Sequence, residues 1–149
     1  KHHQMQLNGF LLLILTLSIC HQMNAQNLND YRWKNRVLIL TDVAVDTEAL
    51  KSQLQAFTAD EEALADRDLI IFLVTQNGVS DSNGKPSEMN AARLRKNLEI
   101  QDDFRGTLLI GKDGGVKMKK EFQVDPETIF TLIDGMPMRR AEIRKSGKS

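Results

Sequence analysis

FRGTLLIGKDGGVK, residues 104–117, reads as a strand, a tight turn and the start of a second strand. Gly106 to Lys112 (GTLLIGK) holds a short apolar run, and Asp113-Gly114-Gly115 supplies the turn, where glycine takes positive φ without a Cβ penalty. Beyond it, Val116 to Phe122 alternates: Val116, Met118 and Lys120 face one way, and Lys117, Lys119 and Glu121 the other. Alternation rich in lysine predicts an edge strand kept from pairing with other chains. Gly111, Gly114 and Gly115 are not a phosphate cradle, because the strand before them leads into another strand and not into a helix.

Upstream lie two longer apolar runs, RVLILT (36–41) and DLIIFLVT (68–75). Near-continuous runs rich in branched residues predict strands covered on both faces. Between them Leu50, Leu54 and Phe57 recur on one helical face. Asp46 is placed to cap this helix and Glu48 to favour its positive end. A second start at Asp60-Glu61-Glu62 extends or restarts it through Leu64. Strand, helix and strand over about forty residues form a βαβ unit with parallel pairing. Gln76 to Pro86 reads as a loop, and Ser87 as the cap of a helix with Ala91, Leu94 and Leu98 on one face. Downstream, Asp125-Pro126-Glu127 opens a helix with Ile129, Phe130 and Ile133 as its apolar face, closed by Gly135 and Pro137. Met136, Pro137 and Met138 are expected to pack that helix onto the sheet. Trp33, the only Trp, is expected as a plug at the core or its rim.

The order β-α-β, α, β-β-α predicts an α/β, thioredoxin-like fold: a four-stranded mixed sheet with flanking helices over residues 36–138. Residues 26–35 form a polar N-terminal segment and 139–149 a basic tail. The segment 104–117 resembles the thioredoxin stretch that leads into a strand, a Gly turn and an edge strand. Trp33, RVLIL, GKDGGVK and the closing IDGMPMRR more closely resemble a family of uncharacterised function. It comprises small exported bacterial proteins and the related C-terminal domain of sushi-repeat-containing extracellular proteins. That resemblance covers nearly all of residues 31 to 144 and implies a peroxiredoxin-like fold.

Such folds carry catalytic cysteine after the first strand, where this chain reads Asp42-Val43-Ala44-Val45-Asp46-Thr47-Glu48. The place of their cis-proline corresponds to Gly106. The only cysteine is Cys20, and His2, His3 and His21 lie beside it in the first twenty-one residues. FLLLILTLSIC (10–20) is about half the length that spans a bilayer and matches the apolar core of a secretory signal. Met23-Asn24-Ala25 is its small-residue exit, so residues 1–25 are expected to be a signal peptide. Ile19 before Cys20 disfavours lipid attachment. The remaining 124 residues then hold neither thiol nor imidazole, are exported to the periplasm or secreted, and carry a net charge near −1. This excludes thiol–disulfide exchange, Cys peroxidase chemistry and metal sites built on Cys or His, and gives no reason to expect nucleic acid or a membrane span.

The leading expectation is a non-catalytic binding or interaction module with no cofactor. The candidate site is the carboxyl end of the first strand, where crevices form in open α/β sheets. Asp42, Asp46 and Thr47 would be joined there by Arg105 and Thr107, either as a binding site or as an oxygen-based enzyme. Helix capping in a solvated loop is the competing reading for the first loop. The acidic stretch Asp42, Asp46, Glu48, Asp60, Glu61, Glu62, Asp66 and Asp68 lacks the ligand density of a calcium loop and reads as a solvated face. The tail places Arg139, Arg140, Arg144, Lys145 and Lys148 against Glu142. Such an end suits an anionic polysaccharide, lipid headgroups or an acidic partner, or is simply a frayed, solubilising terminus.

Overall fold

The two long apolar runs lie side by side at the centre of one sheet. A computed structural model describes residues 27–147. The expected leader, Cys20 and Lys148 lie outside them. Strand β1 (Arg36–Thr41) pairs in parallel with β2 (Leu69–Thr75) and antiparallel with β4 (Gly106–Ile110). Strand β5 (Val116–Glu121) borders β4, and β3 (Gly78–Asp81) borders β2, giving the order β3-β2-β1-β4-β5. The sheet therefore has five strands where four were expected. The added strand comes from the stretch read as a loop: Gln76 and Asn77 turn the chain so that Val79 pairs with Val74 and Gly78 with Thr75.

Alternation along β1 divides the core. Leu38 and Leu40 face a layer built by helices α1 (Glu48–Thr58), α2 (Glu61–Asp66) and α4 (Pro126–Asp134), with Leu50, Phe57, Ile129 and Ile133 fully buried. Val37 and Ile39 face the opposite layer, with Met89 and Leu94 of the α3 region (helix Ala91–Asn97) and Ile100. Each fully buried Leu or Phe contributes about 1.5–3 kcal/mol relative to exposure, which is why β1 is apolar on both faces. The N-terminal segment belongs to the second layer. A 3-10 turn at Leu28–Tyr31 sets Tyr31 edge-on to Phe72, with ring centres 5.4 Å apart.

Several local expectations shift by a residue or two. Thr47, not Asp46, caps α1, its hydroxyl accepting from Leu50 N. Asn90, not Ser87, caps α3. α2 is a separate helix capped by Asp60. Pro137 opens a further helix, α5 (Pro137–Ser146), rather than only closing α4. The expected boundary at 138–139 falls inside α5. In β5 a register shift sets Val116 opposite Ile110 and Met118 opposite Leu109, so the even alternation is broken. Trp33 is 63 % exposed rather than a plug: it sits at φ 65°, and its backbone N–H donates to the Lys112 carbonyl at 2.7 Å. Among the described residues the one cis peptide is Phe122–Gln123, not the bond before Gly106. No helix among them is long and apolar enough to cross a membrane.

Candidate functional site

At the carboxyl end of β1 the chain leaves the sheet through Asp42, which is only 2 % exposed. A buried carboxylate requires partners. Asp42 Oδ1 accepts from Val43 N at 2.7 Å, and Oδ2 accepts the Thr47 hydroxyl at 2.6 Å. Arg105, 60 % exposed along its side chain, brings Nε to 3.5 Å from Oδ1. Three of the five expected residues therefore meet. Asp46 is exposed and stands outside the cluster. Thr107 lies opposite Leu40 on the α1 side of the sheet, fully buried, with its hydroxyl unpartnered. The acidic stretch is thus no uniform solvated face, since Asp42 is buried and Asp66 and Asp68 are ion-paired.

What this cluster does is tie the loop. The Thr47 oxygen already accepts from Leu50 N while its proton goes to Asp42, so hydroxyl and carboxylate are both engaged within the chain. The place where the resemblance would set a catalytic cysteine is closed by an oxygen–oxygen hydrogen bond. Gly106 borders it. A Cβ there would lie 2.1 Å from the Lys120 carbonyl oxygen and 2.8 Å from Phe104 Cζ, so the position admits no side chain.

Alternation sends the neighbouring polar residue, Thr41, to the other face. There its hydroxyl accepts from Arg95 Nη1 at 3.1 Å. Arg95 was missed from sequence. The signal was present in the helical spacing: Arg95 sits next to Leu94, within the stripe Ala91, Leu94 and Leu98, so a cation had to enter the sheet-facing side of α3.

The tail residues separate in the same way. Arg139 is not a free surface cation. It is buried, hydrogen-bonded to Asp66 and, at 3.2 Å, to Asp134. Arg140, Arg144 and Lys145 are exposed on α5. Glu142 accepts from Lys112 at 2.8 Å and from Arg36 at 3.1 and 3.3 Å. Lys112 also reaches Asp68 at 2.7 Å, and Arg67 reaches Asp134 at 2.6 Å. Burial pushes the Glu142 carboxyl up, but the hydrogen bonds from Lys112 and Arg36 outweigh it and hold the group below its ordinary 4.5. Lys112 of GKDGG and Arg139 of DGMPMRR both reach Glu142, at 2.8 and 3.9 Å, so α5 is anchored at the amino end of β1, opposite the candidate site.

A domain of unknown function, DUF4174, matches residues 27–142. The chain belongs to this family. No curated protein matches it by sequence. Among solved structures it is similar to the reduced 2-Cys peroxiredoxin of Plasmodium vivax, with a TM-score of 0.58 and 17 % identity over 78 % of this chain and 85 % of that one. It is also similar to thioredoxin peroxidase I of Plasmodium yoelii, with a TM-score of 0.54 and 18 % identity over 82 % of both chains. The mitochondrial 2-Cys peroxiredoxin of Plasmodium falciparum gives 0.51 and 12 % identity over 83 % of this chain and 86 % of that one. Identities this low establish the fold alone. This DUF4174 chain has the thioredoxin-like fold with one cysteine in its whole sequence and no redox pair.

Proposed function

We propose that this DUF4174 protein is an exported, non-catalytic binding module. The observation that carries the reading is the closed loop after β1: Asp42 and Thr47 occupy each other, and no thiol stands there. The expected leader and the resemblance to the sushi-repeat extracellular domain support an extracytoplasmic setting. Insulin-disulfide reduction by the purified full chain with dithiothreitol tests it. The rate should equal that of dithiothreitol alone; a protein-dependent acceleration overturns the reading. Gathering of Asp42, Thr47 and Arg105 favours an oxygen-based enzyme as a second reading, with the buried Thr107 hydroxyl on the α1 side of the sheet. It requires Asp42 to let go of Thr47, at the cost of a charge-assisted hydrogen bond. Contact with an anionic polysaccharide is a third, supported by Arg140 and Arg144, exposed one turn apart on α5.

A further inference from the structure

We propose that the cleft beside Arg95 binds a compact oxyanion, a carboxylate or phosphate group, which deepens the binding-module reading by naming its ligand class. The cleft has a volume of about 320 Å³ and is lined by Gln76, Ala92, Arg95, Lys96, Ile100 and Asp102. It lies outside the carboxyl ends of β1 and β2, on the face of the sheet opposite Asp42. That is the location at which open α/β sheets hold ligands. Its volume is near the lower end for ligand sites, roughly 300–1,000 Å³, and suits a small molecule.

Arg95 is the reason to expect an anion. It is 7 % exposed, and its two hydrogen bonds go to neutral oxygens: Thr41 Oγ1 at 3.1 Å and the Gln101 carbonyl at 2.7 Å. These fix the plane of the guanidinium and leave its charge unneutralised. The nearest carboxylate, Asp102, stands 3.9 Å away with a fully exposed side chain. An exposed pair at that distance is worth little, whereas a buried cation gains much from a directly bonded anion. Guanidinium presents its donors as a planar fork, which matches a carboxylate or phosphate edge. Lys96 adds a second positive charge at the rim, and Gln76 an amide. Ile100 and Ala92 provide an apolar wall and room. No other residue lining the cleft is acidic.

The test uses the full chain, with inorganic phosphate and succinate titrated separately and followed by amide chemical shifts of Gln76, Lys96, Gln101 and Asp102. Saturable shifts are expected; which probe gives them tells a phosphate source from a carboxylate one. Arg95 is buried and its replacement can unfold the protein, so the variants are the two exposed charges. Lys96→Gln should weaken binding about two- to fivefold, and Asp102→Asn should strengthen it by a similar factor. No saturable shift with either probe, or any order other than Lys96→Gln weaker than wild type and Asp102→Asn tighter, overturns the proposal. Failure here leaves the insulin result standing, and insulin reduction would leave this titration standing.

Discussion

Thr47 donates its hydroxyl to Asp42 across the loop that follows β1, at 2.6 Å. The bond joins the end of the central strand to the first turn of α1. It also explains a buried carboxylate without a metal or a substrate: Val43 N, the Thr47 hydroxyl and Arg105 together satisfy it.

Loss of that bond should cost stability. Thr47→Ala removes both the helix cap, about 1 kcal/mol, and one partner of a buried carboxylate, a further 1–3 kcal/mol or so. Urea unfolding at neutral pH should therefore place Thr47→Ala about 2–4 kcal/mol below wild type. Asp46→Ala, at an exposed position outside the cluster, should stay within about 0.5 kcal/mol. A loss on Asp46→Ala as large as that on Thr47→Ala would contradict this assignment of the cap.

Glu142 gives the fold an acid-sensitive anchor. Its carboxyl is held below the ordinary 4.5 in the folded chain, so the unfolded chain binds more protons between the two values. The stabilisation is complete above the unfolded value and disappears as pH falls through the folded one. Glu142→Gln should cost about 2–4 kcal/mol at pH 7, because it strips the partly buried partner from Arg36 and Lys112. The gap between variant and wild type should narrow in urea titrations below the ordinary carboxylate range. A gap independent of pH would show that charge at Glu142 does not hold α5.

The glycines separate by what surrounds them. Gly106→Ala forces a Cβ against the Lys120 backbone and should cost several times more than Gly84→Ala, where φ is +82° but nothing lies within 4 Å. For the latter, about 1 kcal/mol of left-handed strain is expected. For the former, displacement of β5 should bring about 3 kcal/mol or more. Thermal unfolding of the pair measures the ratio.

Trp33 is the sole tryptophan and stands in solvent at 63 % exposure. Its fluorescence in the folded protein should be readily quenched by acrylamide and change little on unfolding. Strong protection from quenching in the folded state would contradict the exposed placement.

Much of this was legible in the sequence, for physical reasons that also mark where it stopped being so. Buried strands and amphipathic helices announce themselves through period and apolar content, which is why RVLILT, DLIIFLVT, Leu50–Phe57 and Ile129–Ile133 read correctly. β3 did not, because four residues between Gly78 and Asp81 carry one core side chain, Val79, amid turn signals. α5 did not, because it has no apolar stripe and is seated by charge: Arg139 and Glu142 find partners that lie some thirty to a hundred residues away in sequence. At the candidate site the loop was legible but its assignment was not. Asp42, Thr47 and Arg105 meet only because the chain turns at Asp42, and alternation sends Thr41 to Arg95 on the other face.

On the reading proposed above, this thioredoxin-like fold works without redox chemistry. Peroxide consumption by the purified full chain, followed with dithiothreitol as reductant, tests it most directly. The rate should be indistinguishable from that of reductant and peroxide without protein. Catalytic turnover, with peroxide consumed in many-fold excess over protein, would contradict it.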